Sequence, residues 1–284
     1  MFVRKTAMVL YRVFQLAFLV MVIGGLFDGW PFPTWWAFIP AGLSVVIVLA
    51  RSRAGRRDRA PREPVEVDPP VRGHWSALNS PADKVPSHGT HAYGQTYAID
   101  IVAEGAEHRP RPKFAAVWPV VRRPRAFPAF GEPLHAVADA EVVHATDWRR
   151  DHLSRNSTPA LAYLMLLEGA IREMFGAGWI VGNHIVLDLG DGVYAMYAHL
   201  QRGSLSVRPG DRVRAGQRLA RCGNSGNSTE PHVHFQLMDG PDLDSASGLP
   251  FRWRGVGIPA GGETFTVDRE QADPAPGGRA PARR

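Results

Sequence analysis

Two apolar runs at the amino terminus most constrain what this 284-residue chain can fold into. They occupy residues 13–27 and 34–50, and three tryptophans cluster between them or at the start of the second run. A membrane-spanning helix needs about 20 consecutive, mostly apolar residues, and tryptophan is enriched at the membrane–water interface. The leader, residues 1–50, therefore predicts an α-helical transmembrane hairpin with segments at about 8–27 and 31–50.

Positive charge is concentrated around this leader. Residues 1–62 hold nine lysines or arginines against two acidic residues, a net charge of +7, whereas residues 63–268 have a net charge of −3. The overall charge of +6 would suit a nucleic-acid-binding protein, but the basic residues lie outside the part that could form a binding groove. No nucleic-acid partner is therefore expected. Because basic residues stand at both ends of the hairpin, the positive-inside rule favours a cytoplasmic location for the rest of the chain.

Composition divides the remaining chain into three parts. Residues 51–72 are basic and proline-rich and predict a linker, and residues 269–284 form a low-complexity tail that we expect to be disordered. Residues 73–268 are long enough to bury a core of their own. Cys222 is the one cysteine of the chain, which excludes an internal disulfide and a cysteine-based zinc site.

Residues 73–268 mostly show the pattern of short strands. Alternating apolar and polar residues, bounded by glycine, proline or asparagine, occur at 96–103, 140–145, 183–190, 192–200 and 232–238. Residues 159–176 instead space their apolar side chains as an amphipathic helix does, and they open with a proline that follows a serine and a threonine. The fold class predicted is mostly β, an antiparallel sheet or sandwich with a helical insertion that packs on the sheet as a surface element.

Histidines are placed where a metal site could form. His232 and His234 would point to the same side of a strand, about 6.5–7 Å apart along it. Since Zn–N bonds are about 2.0–2.1 Å long, one ligand plus one neighbour acting on a metal-bound water fits this pair better than two ligands. Asp100 lies in an apolar strand, where a carboxylate needs a charged partner or a metal.

Further imidazoles lie close to strand ends. His199 ends a predicted strand just before a turn, and His88 and His91 lie upstream of the strand that contains Asp100. Histidine and aspartate are ligands that suit Zn²⁺, and three protein ligands leave a position open for water. The sequence therefore predicts a zinc centre assembled from several strands.

Several short motifs occur in a fixed order. They are GEPLHA at 131–136 followed by Asp139, GN at 182–183, YAHL at 197–200, GDRVRAGQ at 210–217, GNSG at 223–226 and PHVHF at 231–235. In this order and spacing they resemble the lysostaphin-type, or LytM-type, zinc metalloendopeptidases, which cut peptide cross-links in bacterial cell walls. The resemblance covers roughly residues 85–240.

The resemblance implies a role for each of four site residues. Asp100 and His234 correspond to zinc ligands, and His199 and His232 to catalytic histidines that are not ligands. Zinc lowers the pKa of a bound water toward about 7, and a neutral imidazole is a suitable proton acceptor at neutral pH. His232 is the implied general base, and His199 would hold the oxyanion or return the proton; the two roles could be exchanged.

The third ligand departs from the common family pattern. That pattern places a histidine four residues before the aspartate, where this chain has Thr96. The stretch PSHGTHAYGQTYAID resembles a longer-spaced branch of the family, in which the histidine of S-H-G-T serves. We therefore expect His88 to be the ligand, with His91 as the alternative.

The resemblance implies a membrane-anchored, zinc-dependent endopeptidase whose partners are peptidoglycan peptide and the membrane; protein partners are unknown. The alternative is an inactive family member that acts as a membrane-anchored binding or regulatory module, which loss of a ligand would indicate. A biotinyl or lipoyl carrier domain is excluded, because the lysines, at 5, 84 and 113, lie outside the segment VRPGDRVRAGQRLA that resembles such domains.

The substrate and the charge pattern disagree on location. Cell-wall peptide lies outside the cytoplasmic membrane, whereas the arginines that follow residue 50 favour a cytoplasmic domain. On substrate grounds we expect a two-pass membrane protein with an extracytoplasmic catalytic domain.

Overall fold

The computed structural model describes residues 2–27, 29–57, 62–106 and 110–268. Within these residues, two long helices precede a domain built mainly from antiparallel strands. The tail predicted at residues 269–284 lies outside the described residues.

The two long helices follow the apolar runs of the leader. Helix α1 spans Phe2–Gly24 and helix α2 spans Phe38–Arg57, with a 3₁₀ turn at Thr34–Ala37 before α2. The helices pack on each other, and many of their apolar side chains are exposed. The segment Thr6–Gly24 is long and apolar enough to cross a bilayer. The apolar segment Thr34–Ala50, which comprises the 3₁₀ turn and the first part of α2, is shorter. One candidate span is supported in this way, and the two-span hairpin stays a prediction.

The strands that the structure describes are numbered in chain order. Strands β1 to β13 are Val65–Val67, Gly73–Asn79, Ile99–Ala103, Pro133–His135, Ala140–Thr146, His184–Asp188, Tyr194–Ala198, Arg212–Val213, Arg218–Arg221, Val233–Met238, Gly248–Leu249, Phe251–Trp253 and Thr264–Val267. The main sheet has the order β13-β2-β3-β10-β7-β6-β5-β8 with antiparallel neighbours, and β11 pairs with β10. Strands β4 and β9 form an antiparallel pair, and β1 and β12 a parallel pair. The prediction of a mostly antiparallel β fold is confirmed.

Regular structure enters the predicted linker, residues 51–72, from both sides. Helix α2 continues to Arg57, because arginine and alanine favour helix and no proline follows Pro40 until Pro61. Strand β1 begins at Val65 and adds to the edge of β12. The structure thus differs from the predicted linker boundaries. Helix α2 ends seven residues beyond residue 50, where the second segment was predicted to end, and strand β1 begins well before residue 72.

Alternation along the central strands separates a core face from a site face. On β3 and β10, the odd-numbered side chains, such as Ile101 and Phe235, are fully buried in the main hydrophobic core with Trp75 and Trp253. The even-numbered side chains point to the other side of the sheet. Burial of the apolar face therefore fixes which polar residues meet on the opposite face.

The predicted insertion is helical. Helix α3 (Thr158–Tyr163), a π-helical segment (Leu164–Glu168) and helix α4 (Gly169–Phe175) follow one another directly, and a short helix α5 (Ala177–Val181) comes next. Ser157 caps the first turn, since its hydroxyl accepts a backbone hydrogen bond 3.3 Å long. The proline that opens the predicted helix lies in this first turn, where the missing N–H costs no hydrogen bond.

The insertion differs from the prediction of an element packed on the sheet. Its charged side chains turn inward, where Glu168 accepts hydrogen bonds from Arg155 and Arg172. Ala160 and Leu164 are its buried apolar side chains. The side chains that point outward are apolar: Tyr163, Met165, Leu166, Leu167, Ile171 and Phe175.

Candidate active site

Three adjacent strands position the predicted site residues. His234 on β10 lies opposite Asp100 on β3 and opposite Ala198 on β7. His199 follows β7 directly and has a left-handed backbone, with φ of 60°, a conformation that is uncommon for a residue with a side chain. The antiparallel register thus brings together residues that are up to 134 positions apart in sequence.

His88, Asp100 and His234 form a compact cluster. Their ligand atoms all lie within 4.8 Å of one another. His88 Nε2 is 2.8 Å from one Asp100 oxygen, and His234 Nδ1 is 2.9 Å from the other. Two imidazole nitrogens and a carboxylate oxygen are ligands that zinc accepts.

The second upstream histidine lies apart from this cluster. His91 Nδ1 is 3.1 Å from Thr96 Oγ1, and His91 does not belong to the group of potential ligands found among the described residues. Of the two imidazoles between which the sequence left a choice, the structure brings His88 to Asp100.

His199 and His232 lie beside the cluster, with ring centroids 4.7 Å apart. His232 Nε2 is 3.5 Å from Asp100 Oδ1. His199 Nδ1 lies 2.8 Å from the Ser225 carbonyl oxygen, and His232 Nδ1 lies 2.7 Å from the Glu230 carbonyl oxygen. Because a carbonyl oxygen can only accept, each Nδ1 carries the proton and each Nε2 is free to act as a base or ligand.

Sequence reasoning missed the side chains that orient the histidine cluster. Ser87 Oγ lies 3.0 Å from His88 Nδ1, and Gln236 Oε1 lies 2.9 Å from His234 Nε2. These contacts leave His88 Nε2 and His234 Nδ1 directed at Asp100. The signal for Gln236 was present in the sequence, since it follows His234 by two residues on a strand and so shares its face.

A third orienting residue could not have been found from spacing. Asn79 Nδ2 donates a 2.8 Å hydrogen bond to Asp100 Oδ2. Asn79 reaches that position because the pairing of β2 with β3 is irregular between Ala77 and Asn79, and such irregularities re-aim side chains.

Burial and neighbouring charges act against each other at the site. Burial disfavours the Asp100 carboxylate, yet His88 and His232 outweigh it and hold the pKa of Asp100 well below its usual value. Burial also opposes a charge on His232, but Asp100 raises the pKa of His232. Burial, followed by the neighbouring His232 and His234, lowers the pKa of His199. An ionised carboxylate among imidazoles is a suitable environment for a divalent cation.

Two glycines let the loop that holds His199 approach α5 closely. Gly182 and Gly226 have φ of 69° and 74°. A Cβ atom on Gly182 would lie 2.6 Å from the carbonyl carbon of Ser225, and one on Gly226 would lie 2.5 Å from the Ile180 oxygen. The close contact therefore requires glycine at both positions, and it places the Ser225 carbonyl that His199 uses.

Comparison with known families gives an independent view of the same region. Residues 165–245 match Peptidase family M23, which confirms the resemblance predicted from the motifs. The matched region contains His199, His232 and His234, whereas His88 and Asp100 lie upstream of it.

Individual relatives match a limited part of the chain. "Glycyl-glycine endopeptidase ALE-1" of Staphylococcus capitis is 47% identical over 92 residues, 31% of this chain and 23% of the relative. "Peptidoglycan DD-endopeptidase ShyA" of Vibrio cholerae is 37% identical over 57 residues, 20% of this chain and 13% of the relative. The solved catalytic domain of lysostaphin from Staphylococcus simulans is 20% identical with a TM-score of 0.32, over 61% of this chain and 84% of that domain. The chain thus spans less than a quarter of the length of these two curated relatives.

Proposed function

Because the chain carries a Peptidase family M23 region, we propose that it is a membrane-anchored, zinc-dependent endopeptidase that hydrolyses peptide cross-links of bacterial peptidoglycan. The observation that carries the proposal is the approach of the His88, Asp100 and His234 ligand atoms to within 4.8 Å of one another, beside two further histidines. Relatives named as a glycyl-glycine endopeptidase and a peptidoglycan DD-endopeptidase support the substrate class.

We assign the zinc ligands as His88 through Nε2, Asp100 through its carboxylate and His234 through Nδ1. The donor set fits zinc, because the remaining nitrogen of each histidine already has an oxygen partner, on Ser87 or Gln236, that fixes the ring. Zinc bound there supplies Lewis-acid chemistry that polarises the scissile carbonyl and makes water a stronger nucleophile at neutral pH.

The chain's own proton chemistry is assigned to His232 and His199. With Nδ1–H held by a backbone carbonyl, His232 accepts the proton of the attacking water at Nε2, the atom that lies 3.5 Å from Asp100. His199 is held in the same way, with its Nδ1–H on the Ser225 carbonyl, so it holds the oxyanion or protonates the leaving amine from Nε2 only after that nitrogen has itself taken up a proton. The geometry is similar for both rings, so the two roles are exchangeable.

Activity and metal content of the full chain test the proposal. The purified chain is expected to bind about one zinc ion and to cleave isolated peptidoglycan. His234→Ala should lose the zinc and lower the cleavage rate by about 100-fold or more. His74→Ala is the matched control, because His74 is exposed on β2 and pairs with Thr266. A zinc-free wild-type protein, or unchanged cleavage by His234→Ala, would favour the binding-module alternative.

We further propose that the chain crosses the membrane twice and that its peptidase domain is extracytoplasmic, where peptidoglycan lies. The basic residues around the hairpin argue for the opposite orientation. A reporter that is active only outside the cytoplasm, fused after Arg284 of the full chain, distinguishes the two. A silent reporter, together with an active cytoplasmic reporter at the same position, would refute the extracytoplasmic location.

A further inference from the structure

The insertion helix comprises α3, α4 and the π-helical segment between them. It exposes its apolar side chains and directs its charged side chains inward, the reverse of an ordinary surface helix. Leu166 is 80% exposed, and Met165 and Phe175 are each 65% exposed. A surface helix of a soluble domain normally directs its apolar stripe to the core and its charged residues to water. An apolar outer face of this kind marks a surface that contacts something other than water.

Inward-facing ion pairs hold the helix in this orientation. Both oxygens of Glu168 accept hydrogen bonds from Arg155, each 2.8 Å long, and Arg172 donates to Glu168 and to Asn227. These side chains are largely buried. Turning the helix over would bury Leu166 only by breaking this network. The outward apolar face is therefore a built feature of the domain.

The outward face lies next to the candidate membrane span. Helix α1 packs against α4, and Met8 is buried in one cluster with Ala177 and Val181. Arg12 donates a 3.0 Å hydrogen bond to Asp244 of the domain. Since Thr6–Gly24 is long and apolar enough to cross a bilayer, lipid around α1 would also reach the helix beside it.

Aromatic and basic side chains edge this face. The Arg149 guanidinium lies 4.3 Å and 4.0 Å from the ring centroids of Trp148 and Trp179, and Trp179 contacts Phe175. Among the residues that the structure describes, Arg149 has no ion-pair partner, and its Nε has no hydrogen bond. Tryptophan and arginine are typical of the headgroup level of a bilayer, and an unpaired guanidinium there suits a lipid phosphate.

We propose that the apolar face of the insertion helix, edged by Trp148, Arg149 and Trp179, inserts into the surface of the lipid bilayer beside α1. The occupant is lipid, because α4 packs beside α1, which is itself the candidate span, and because the edge of the face carries the residues of a headgroup boundary. The proposal rests on the proposed membrane anchoring. It places the peptidase site close to the membrane, since Arg172 also binds Asn227, two residues from the Ser225 carbonyl that holds His199.

Single-cysteine probes in the full chain test the contact. The native thiol, Cys222, is buried, so an environment-sensitive fluorophore on an introduced cysteine reports one position. Three variants are reconstituted into phosphatidylcholine–phosphatidylglycerol vesicles: Leu166→Cys on the insertion helix, Val20→Cys on α1, and Arg208→Cys. Arg208 is a highly exposed side chain in the turn that leads to the edge strand β8 and serves as the water-exposed control.

The expected result is a blue-shifted emission at positions 166 and 20, with quenching by nitroxide-labelled lipid at least about threefold stronger than at position 208. Lipid quenching at position 20 with water-like emission at position 166 would keep the anchoring and overturn the lipid contact. Water-like emission at both positions would overturn the anchoring itself. A blue shift at position 166 without lipid quenching, in a chain that is dimeric by mass, would overturn the lipid contact in favour of a second copy.

Discussion

Gln236 illustrates how one neutral side chain can set the chemistry of a histidine. Its amide nitrogen donates a 2.7 Å hydrogen bond to the Tyr93 carbonyl, which leaves Oε1 to accept from His234 Nε2. His234 is thereby fixed in the tautomer with an unprotonated Nδ1. The residue therefore prepares Nδ1 for the role of ligand that we propose.

Gln236→Met keeps the approximate volume of the side chain and removes the acceptor. We expect zinc affinity to fall about 10- to 100-fold, because the His234 ring loses the partner that selects its tautomer. Competition titration against a chelating dye measures the change. Gln217→Met, which removes a surface turn contact with Arg214, is the control and should retain wild-type affinity. Equal affinity in both variants would contradict the positioning role of Gln236.

His184 links stability to pH through burial rather than catalysis. It is buried on β6 with Nδ1 2.8 Å from the Gly182 carbonyl, and burial lowers its pKa to about 4. An unfolded histidine titrates near 6.5. Between these values the unfolded chain binds a proton that the folded chain does not, so the contribution of His184 is complete above pH 6.5 and is lost as the pH falls toward 4.

His184→Asn retains an N–H donor for Gly182 and removes the titration. The loss of stability between pH 7 and pH 4.5 should shrink, by at most about 3 kcal/mol for a difference of about 2.5 pKa units. Thermal unfolding of the full chain in detergent at the two pH values measures it. His74→Asn, at an exposed position, should leave the wild-type difference in Tm unchanged. A His184→Asn protein as acid-sensitive as the wild type would refute the assignment.

Strand alternation was sufficient to predict which imidazoles share a face, but not what holds them. The sequence predicted that His232 and His234 point to one side, and the structure places both beside Asp100. The Asn79 contact depends on an irregular pairing between two strands. Such pairing is a property of the assembled sheet and has no local sequence signal.

At the scale of elements, the contact between α5 and the loop at residues 223–226 governs the position of His199. Gly182 ends α5, and a side chain there would meet the Ser225 backbone. Ser225 Oγ accepts from the backbone N–H of Asn183 and donates to the Leu200 carbonyl. The loop is therefore bonded to both β6 and β7 at the end of the strand pair where His199 lies.

Gly182→Ala tests this contact against a control glycine that also has a positive φ. Gly192 has φ of 71° and no atom near its Cβ position, so Gly192→Ala costs about 1 kcal/mol from the left-handed backbone alone. Gly182→Ala carries at least that backbone cost, since Gly182 has ψ of −142°, and it also displaces Ser225. We therefore expect a lower Tm than for the control and at least about a tenfold loss of peptidoglycan cleavage. Equal Tm and cleavage in the two variants would show that the contact does not position His199.

The insertion helix shows what periodicity can and cannot predict. The spacing of apolar residues and the proline that opens the segment predicted a helix, and the structure has one there. Periodicity divides a helix into two faces but does not say which one meets the domain. Here Arg155, from the segment just before α3, and Asn227, from a loop 55 residues beyond Arg172, bind the charged face and hold it inward.

At the scale of the whole molecule, α1 is attached to the domain by specific contacts as well as by the chain. Arg12 pairs with both oxygens of Asp244, and Met8 is buried against α5. These contacts join the candidate span to the strands that carry the site. The leader, which the sequence presented as a separate anchor, therefore also packs as part of the folded domain.

A charge exchange between Arg12 and Asp244 tests this attachment. Arg12→Asp and Asp244→Arg should each destabilise the full chain in detergent by about 1–2 kcal/mol, because each leaves a partly buried charge beside a like charge. For a domain of this size that corresponds to a fall in Tm of about 2–4 °C per kcal/mol. The double variant should recover part of the loss, with a coupling energy of about 1 kcal/mol.

The exposed pair Arg212 and Glu141, whose charged atoms are 4.0 Å apart, is the control and should show coupling below about 0.5 kcal/mol. Additive losses at Arg12 and Asp244 would mean that this ion pair does not hold α1 against the domain. Coupling at that pair and not at the control would mean that the pair joins the orientation of the span to that of the peptidase site.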